Sequence, residues 1–315
     1  MYNYGGKIGV LCGGVSSERD ISLKSGRAIY DALTKQGLNV KEIDVQSEDE
    51  PVVIATLCHA SIDVAFIAMH GRFGEDGKLQ AILEKMDMPY VGSDSLASAF
   101  AMDKITSRKI FEEHNIPVPA YRVCDKNVNA DFFGADLKFP FVVKPCAQGS
   151  SIGISLVRSP QEIQHALSAA FCYDKRIIIE DYIKGKELTV GILDSTALEP
   201  IEIAPKSHFF DFQAKYNVGM TDYLLPASIA PNLSEKVKAL SLRAHRALGC
   251  RHFSRVDVLL DEQNNPFVLE VNTIPGFTAT SLLPKAARYQ GITFPKLCLT
   301  LLEMALKESV PSFKL

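Results

Sequence analysis

The sequence lacks the closely spaced cysteines that disulfide frameworks and structural zinc sites require. Its seven cysteines are scattered, odd in number and never arranged as C-x-x-C, which indicates free thiols in a reducing compartment. No apolar run approaches the ~20 residues that span a bilayer. The first residues, MYNYGGKIGVLCGG, show no cationic start followed by a long apolar core. We therefore expect no secretory signal and a cytoplasmic location.

A strong charge of either sign is also missing. The formal net charge is -3 at pH 7, which gives no electrostatic basis for binding nucleic acid or an anionic membrane surface. We expect neither partner. With 315 residues, 47% hydrophobic and 23% charged, the chain has the profile of a globular protein with two or three domains.

Two acidic strands near the C-terminus organise the rest of the chain. The segment SRVDVLLDEQNNPFVLEVNTIPG (254–276) predicts strands at 255–260 and 267–272, joined by a turn. Side chains alternate between the faces of a strand. One face of this hairpin therefore carries Arg255, Asp257, Glu270 and Asn272, and the other carries apolar residues that include Leu269 and Val271.

Carboxylate and amide oxygens on such a platform suit Mg²⁺, which takes its other ligands from water or phosphates. The alternative is a hairpin with one solvated polar face. The alignment of polar side chains on both strands, opposite a continuous apolar face, favours a metal site.

The N-terminal region predicts a doubly wound α/β domain. A strand at 7–11 runs into a glycine turn and a helix from about 20 to 36, which is an edge where such domains bind ligands. The G-x-G-x-x-G pattern is absent, so a dinucleotide site is not expected here. Glu18 either faces a ligand or complements the helix dipole. His70 ends the strand at 63–69, and the glycines around it favour a substrate-facing loop over a structural role.

The middle of the chain predicts a phosphate-binding flap. A long helix begins at Ser93 and contains Lys104, which by itself indicates only a solvated lysine. A strand ending at Lys144 leads through a small-residue loop (145–153) into a returning strand. Lys144 and the loop N–H groups suit phosphates, although no G-K-[ST] opens a helix as in a Walker A motif. The alternative is a glycine hairpin with an incidental lysine.

Two further segments suggest nucleotide contacts and a lid. Strands near Glu180 and Glu187 could hold adenine and ribose, which is a weak signal on its own. The aromatic-rich stretch 205–226 is typical of a lid, with Lys215 and Tyr216 at its tip; the alternative is a disordered surface loop.

Taken together, these segments resemble the D-alanine–D-alanine ligase family of the ATP-grasp superfamily, nearly from end to end. The resemblance rests on motifs in family order: GGVSSE (13–18), HGRFGEDG (70–77), MDK (102–104), VVKPCAQGSSIG (142–153), IEDYIKGKE (179–187), AKYN (214–217), SRVDVLLD (254–261) and EVNTIPGFTATSL (270–282).

The resemblance implies an α/β (α+β) class and a three-domain ATP-grasp fold whose N-terminal domain is a doubly wound parallel sheet. The implied domains are an N-terminal substrate domain (1–95), a central ATP-grasp domain (96–185) and a C-terminal ATP-grasp domain with the metal site and lid (186–315). ATP would lie between the last two domains, and the family suggests a homodimer.

The family's nucleotide and metal ligands map onto residues of this chain. Asp257, Glu270 and Asn272 would bind two Mg²⁺ ions, with Mn²⁺ as a substitute and Glu270 bridging. The expected contacts to ATP are made by Lys104, Lys144, Ser151 and Lys215 around the phosphates and by Glu180 and Glu187 at adenine and ribose. The phosphate loop departs from the family in having Ala147-Gln148 where Arg-Glu is common, which puts loop contacts in doubt.

The substrate ligands follow in the same way. Glu18 would take the ammonium group of the first D-alanine in a network with Ser150 and Tyr216, and His70 would line that site. Arg255 and the N–H of Gly276 would bind the developing oxyanion. The carboxylate of the second D-alanine would meet Ser281 and Leu282.

The implied reaction is ATP-dependent joining of two D-alanines through D-alanyl phosphate, for peptidoglycan synthesis. A D-alanine–D-lactate ligase is the nearest alternative, and Tyr216 within AKYN favours the dipeptide-forming members. A non-catalytic nucleotide-binding protein on the same fold is the other alternative. The presence of all the predicted metal ligands and phosphate-binding lysines argues against it.

Overall fold

The computed structural model describes residues 4–126, 138–149, 152–205 and 221–308. Within these ranges the strands form three sheets. No helix in these ranges is long and apolar enough to cross a membrane.

The first sheet, called here the N-terminal sheet, is parallel throughout and has the strand order β2-β1-β3-β4. Its strands are β1 (Lys7–Gly13), β2 (Asn39–Val45), β3 (Val64–Ile67) and β4 (Tyr90–Val91). Helices α1 (Arg19–Thr34), α2 (Glu50–Ala60) and α3 (Lys78–Lys85) follow the first three strands. Leu57 of α2 and Leu83 of α3 pack on one face of the sheet, while Ile29 and Leu33 of α1 pack on the other. This arrangement confirms the predicted doubly wound parallel sheet.

The single long helix expected after Ser93 is wrong. Two helices occupy the region, α4 (Ser95–Met102) and α5 (Lys104–Glu113), separated by Asp103 in an extended conformation. The break has a local cause, because the Asp103 carboxylate accepts the backbone N–H of Thr106 at 2.8 Å and caps the second helix. Lys104 therefore opens a helix instead of lying within one.

The second sheet, the central sheet, is antiparallel with the order β5-β8-β6-β7. Its strands are β5 (Tyr121–Asp125), β6 (Phe141–Pro145), β7 (Ser155–Val157) and β8 (Arg176–Asp181). Helix α6 (Pro160–Phe171) covers one face, where Leu167 packs with Phe141 and Ile177. The pairing of β6 with β7 agrees with the predicted strand, loop and returning strand; Ser150 and Ser151 of that loop lie outside the described residues.

The third sheet, the C-terminal sheet, has the order β12-β11-β9-β13-β14, with β10 paired to β9. Its strands are β9 (Gly185–Leu193), β10 (Thr196–Ala197), β11 (Ile201–Pro205), β12 (Thr221–Leu224), β13 (Phe253–Asp261) and β14 (Pro266–Asn272). Helix α7 (Pro231–Ala247) covers its back face. Lys215 and Tyr216, assigned to the predicted lid, lie outside the described residues.

The last two helices of the described ranges bring the C-terminal part of the chain back to the beginning. These are α8 (Leu282–Tyr289) and α9 (Phe294–Glu308). Leu297 and Leu301 of α9 lie in one hydrophobic core with Ile8 of β1 and Leu33 of α1. One face of the N-terminal sheet is therefore completed by residues from the far end of the sequence.

The predicted hairpin is present, but its second strand is irregular. Arg255 pairs with Asn272 and Asp257 with Glu270, whereas the next pair joins Val258 to Val268 and leaves Leu269 as an extra residue. This β-bulge shifts the alternation of side chains. Val268 and Val271 lie in the hydrophobic core between the C-terminal sheet and α7. Leu269 instead lines the same cavity as Glu270. The expectation that Leu269 shares the apolar face with Val271 is therefore wrong.

The bulge can be tested by comparing two adjacent serine substitutions. We expect Val268→Ser to lower the free energy of unfolding by roughly 2 kcal/mol or more, because it leaves a cavity and buries a hydroxyl. Leu269→Ser should lower it by less than about 1 kcal/mol, because the leucine borders an open cavity. Urea denaturation followed by circular dichroism measures both; a larger loss for Leu269→Ser would contradict the register.

Candidate functional site

A cavity of about 300 Å³ lies between the central and C-terminal sheets. Strands β6 and β8 form one wall, and strands β9, β11, β13 and β14 form much of the other. The cavity brings together seven of the residues predicted from the sequence: Lys144, Glu180, Glu187, Arg255, Asp257, Glu270 and Leu282.

A bidentate ion pair joins Arg255 to Asp257 in this cavity. Arg255 Nε donates to Asp257 Oδ1 at 3.0 Å, and Arg255 Nη2 donates to Oδ2 at 2.9 Å. Thr189 Oγ1 donates to the same Oδ1 at 2.6 Å. Burial alone would lower the pKa of Arg255, but the Asp257 carboxylate raises it above its ordinary value. The guanidinium is thus a permanent, fixed cation.

Thr189 was not identified from the sequence, although a signal for it exists. It stands two residues after Glu187 in β9, so the period of a strand places both on one face. Its partner Asp257 is its direct neighbour across the pair β13–β9.

The predicted metal ligands are neighbours across the β13–β14 hairpin. Asp257 lies directly opposite Glu270, and Glu270 Oε2 is 3.5 Å from Lys104 Nζ. The side-chain oxygen of Asn272 accepts the N–H of Ile274 at 2.9 Å, which fixes the carboxamide. Asp257 Oδ2 and the Asn272 amide oxygen each accept one of these hydrogen bonds and keep a second lone pair, so this donor set fits Mg²⁺.

These residues fit a metal site in which a bound phosphate supplies some of the ligands, and not one in which the protein supplies all of them. In the described ranges, no group of three or more His, Cys, Asp or Glu side chains is arranged to hold a metal ion. Mg²⁺ is commonly held by one or two carboxylates together with substrate phosphates, which is the composition that Asp257 and Glu270 offer.

Lys144 belongs to a buried charge network with Glu180 and Arg108. Lys144 Nζ contacts one Glu180 oxygen, and Arg108 Nη2 donates to the other at 2.7 Å. Arg108 Nη1 also donates to the carbonyl of Val268 at 2.6 Å, next to the bulge. Burial alone would raise the pKa of Glu180, but the two cations lower it below its ordinary value. The assigned role of Glu180 toward the nucleotide stays a prediction.

Arg108 is a second residue that sequence reasoning missed. It lies on α5 one turn after Lys104, and this spacing places both on one side of a helix. Its acidic partner is 72 residues away in the sequence. The helical spacing was therefore a signal for a buried cation, but nothing local identified Glu180 as its partner.

A smaller adjoining cavity, about 50 Å³, connects the N-terminal part of the chain to the metal ligands. It is lined by Glu18, Lys104, Glu270 and Asn272, among other residues. Lys104 Nζ donates to the backbone carbonyl of Gln148 at 2.7 Å. This contact uses main chain, so it does not depend on the unusual side chains at 147–148.

The glycine loop after His70 lies against Glu18. Gly71 has a φ of +76°, and a Cβ there would come within 2.8 Å of Glu18 Oε2. A side chain at this position would therefore be strained and would collide with the carboxylate. Gly71 thus allows the loop to approach Glu18; that this loop faces a substrate stays a prediction.

His70 itself is buried and fully hydrogen-bonded within the protein. Its Nδ1 lies 2.9 Å from the carbonyl of Ile274, and its Nε2 lies 2.8 Å from Ser25 Oγ. Glu75 Oε1 is 3.6 Å from Nδ1, and burial raises the pKa of this glutamate. A role for His70 in lining the first substrate's site stays a prediction.

Ser281 lies close to the remaining predicted residue, Gly276. Ser281 Oγ accepts the N–H of Thr278 at 3.0 Å, and it would be 3.3 Å from a Cβ placed on Gly276. The predicted oxyanion donor and the predicted carboxylate ligand thus lie close together just before α8; both roles stay predictions. Ser150, Ser151, Lys215 and Tyr216 complete the predicted set but lie outside the described residues.

Comparisons with known proteins identify the fold. The chain is similar to the D-alanine–D-alanine ligase of Bacillus anthracis, solved in complex with ATP, with a TM-score of 0.84 and 34% identity over 97% of this chain and 99% of that one. It is similar to the VanG D-Ala:D-Ser ligase of Enterococcus faecalis, also with a TM-score of 0.84, at 29% identity over 96% of this chain and 100% of that one. The fold is therefore that of the ATP-grasp enzymes, as the sequence motifs imply.

Sequence relatives narrow the class further. The D-alanine–D-alanine ligase of Geotalea uraniireducens is 47% identical over 92% of this chain and 93% of its own length. That of Carboxydothermus hydrogenoformans is 45% identical over 96% and 98%. The family models for the D-Ala D-Ala ligase C-terminus and N-terminus match residues 110–303 and 54–93. The chain belongs to the D-alanine–D-alanine ligase family.

The buried charge network can be tested with Arg108→Met. We expect the free energy of unfolding at neutral pH to fall by roughly 3 kcal/mol or more, because removing one member of a buried ion pair leaves a charge poorly compensated. In the wild type, the lowered pKa of Glu180 gives stability that is present above pH 4.5, its ordinary value. That stability is lost as the pH falls through the lowered value. The difference between variant and wild type should therefore shrink in acid.

A surface pair serves as the control for this experiment. Lys184 Nζ lies 2.6 Å from Glu262 Oε1, and both side chains are exposed. Lys184→Met should change the urea midpoint little at any pH, because exposed pairs contribute little. Equal losses for the two variants, or a loss for Arg108→Met that does not depend on pH, would contradict the network.

Proposed function

We propose that the protein joins two D-alanine molecules to D-alanyl-D-alanine with the conversion of ATP to ADP and phosphate, for peptidoglycan precursor synthesis. The observation that carries the proposal is the cavity in which Lys144, Arg255, Asp257 and Glu270 meet. The names of the relatives, which are D-alanine–D-alanine ligases over nearly the whole chain, support the choice of substrates.

The first step must activate a carboxylate, because a carboxylate is a poor electrophile for an amine. The carboxylate of the first D-alanine attacks the γ-phosphate of ATP in line and forms D-alanyl phosphate. Lys104 and Lys144 hold and neutralise the phosphates. Mg²⁺ bound through Asp257, Glu270 and Asn272 would supply further neutralisation of the charge on the transferring group.

The second step forms the peptide bond. The amine of the second D-alanine attacks the acyl carbon and gives a tetrahedral intermediate in which the former carbonyl oxygen is an oxyanion. The intermediate then expels phosphate, and the nitrogen loses a proton as the amide forms. Arg255 and the N–H of Gly276 stabilise that charge. Because Asp257 already holds the guanidinium in both its Nε and Nη2 contacts, Arg255 needs little reorganisation as the oxyanion develops.

The substrates need groups that recognise their ends. Glu18 takes the ammonium group of the first D-alanine, with Ser150 and Tyr216 completing that network. Ser281 and Leu282 receive the carboxylate of the second D-alanine. Lys215 and Tyr216 belong to a lid that excludes water, since the acyl phosphate would otherwise hydrolyse.

The same proposal includes the larger organisation of the enzyme. The chain divides into domains at 1–95, 96–185 and 186–315. The first two contain the N-terminal and central sheets, and the third contains the C-terminal sheet except for Gly185, the first residue of β9. It works as a homodimer in the cytoplasm. Light scattering of the purified protein tests the dimer, and limited proteolysis tests the domain limits.

The proposed reaction is tested by mixing the protein with ATP, Mg²⁺ and D-alanine. We expect phosphate release that depends on D-alanine, with one D-alanyl-D-alanine detected by mass spectrometry for each phosphate released. D-Lactate should be a poor second substrate at neutral pH. Phosphate release that does not respond to amino acid would indicate a binding protein, and efficient depsipeptide formation would indicate a D-alanine–D-lactate ligase.

The metal ligands are tested by Asp257→Asn. We expect kcat to fall by on the order of 100-fold and the Mg²⁺ requirement to rise, because a charged ligand and the partner of Arg255 are both altered. The circular dichroism spectrum should be unchanged.

The matched control is Asp261→Asn, at the end of the same strand. Asp261 accepts backbone N–H groups of the turn, including that of Asn265 at 2.7 Å, and does not line the cavity. This variant should keep wild-type kcat and Mg²⁺ dependence. An unaffected rate in Asp257→Asn would remove Asp257 from the site.

A further inference from the structure

Ser25 is a fully buried serine on α1 that takes no part in the reaction described above. Its hydroxyl lies 2.8 Å from His70 Nε2 and accepts the backbone N–H of Phe277 at 3.2 Å. Ser25 therefore connects α1, the helix that follows Glu18, to the turn that contains Gly276. Its partner in that turn, Phe277, is 252 residues away in the sequence.

One arrangement of protons satisfies the whole set of hydrogen bonds. The carbonyl of Ile274 can only accept, so the His70 Nδ1 that lies 2.9 Å away carries a proton and donates it. In the neutral imidazole, His70 Nε2 then accepts the hydroxyl proton of Ser25. The lone pairs of Ser25 Oγ remain for the N–H of Phe277. Each contact in this series of hydrogen bonds thus has one donor and one acceptor.

These contacts hold the backbone on both sides of Gly276. His70 holds the carbonyl of Ile274 on one side, and Ser25 holds the N–H of Phe277 on the other. The ring of Phe277 is buried, with centroids 5.5 Å from those of Phe253 and Phe294. Glycine has the greatest backbone freedom of any residue, so the direction of the Gly276 N–H depends on its anchored neighbours.

We propose that Ser25 is a positioning residue, which acts through His70 and the Phe277 N–H to hold Gly276 at the oxyanion of the second step. The proposal rests on the proposed function, because that function assigns the oxyanion to Gly276. It also means that the turn completing the C-terminal part of the site is held by the N-terminal sheet and α1.

The proposal separates the two chemical steps. Phosphoryl transfer depends on Lys104, Lys144 and the metal ligands. Among the described residues, the side-chain hydrogen bonds of Ser25 go to His70 and Phe277 and to none of these groups. Peptide bond formation depends on the oxyanion donors. If the turn is loosened, D-alanyl phosphate still forms, but its reaction with the amine is slower. Water then attacks the acyl phosphate, which returns D-alanine and releases phosphate without a dipeptide.

The test compares Ser25→Ala with Ser22→Ala in the assay with ATP, Mg²⁺ and D-alanine. Ser22 is a matched control: it is fully buried on the same helix, accepts the N–H of Gly13 at 2.8 Å and donates to the carbonyl of Ala68 at 2.8 Å. Both of its partners belong to the N-terminal part of the chain. The two variants lose equivalent hydroxyls, but only one of these touches the turn.

We expect phosphate and dipeptide in equal amounts for the wild type and for Ser22→Ala. For Ser25→Ala we expect at least about twice as much phosphate as dipeptide, since loss of a single oxyanion donor slows such a step by ~100-fold or more and a displaced donor loses part of this. Equal amounts for Ser25→Ala, or excess phosphate in both variants, would overturn the proposal.

A second variant and the behaviour of the wild type complete the test. If Ser25→Ala does not fold by circular dichroism, Ser25→Cys replaces it, since a thiol has a similar shape but is a weaker acceptor; excess phosphate supports the proposal and equal amounts overturn it. A wild-type protein that forms no dipeptide overturns the proposed function itself, and with it the role of Ser25. Equal amounts in a folded Ser25 variant overturn only the latter.

Discussion

The ion pair between Arg255 and Asp257 is the interaction on which the site depends. The two residues lie two apart on one strand, and both are nearly buried. Burying a charged pair contributes little net stability, because desolvation offsets the attraction. Its value is geometric: the carboxylate that would face a cation and the guanidinium that would face an oxyanion hold each other in place, with Thr189 fixing the carboxylate from the neighbouring strand.

The same pairing of opposite charges recurs around the cavity. Lys104 lies near Glu270, and Glu180 is shared between Lys144 and Arg108. A polyanionic nucleotide that draws Lys144 toward its phosphates would leave Glu180 still paired with Arg108. The site can therefore exchange internal partners for phosphates without leaving a buried carboxylate unpaired, which would be strongly unfavourable.

Sequence reasoning succeeded where a short-range rule determines the structure. Strand alternation predicted the β13–β14 hairpin and the alignment of Arg255, Asp257, Glu270 and Asn272, because a side chain's face depends only on its neighbours. Family motifs extended this to the ATP-grasp fold. The bulge at Leu269 escaped prediction because it is a property of the pairing between two strands. The helix break at Asp103 had a local signal, a capping aspartate, but the apolar pattern continued across it.

Long-range contacts were beyond the sequence. Arg108 meets Glu180, and His70 meets Ile274 across 204 residues; no spacing rule connects such pairs. The sequence could indicate that a buried cation needs an anionic partner. It could not indicate which residue that partner is. Lys215 and Tyr216 of the predicted lid, and Ser150 and Ser151 of the phosphate loop, lie outside the described residues, so their roles stay predictions.

The core shared by β1, α1 and α9 has a consequence for biosynthesis. Chains are made from the N-terminus, so the first sheet emerges from the ribosome long before residues 294–308 are synthesised. Until then, Ile8 of β1 and Leu33 of α1 lack their packing against α9. A nascent chain of this protein thus has part of its first hydrophobic core uncovered through most of translation.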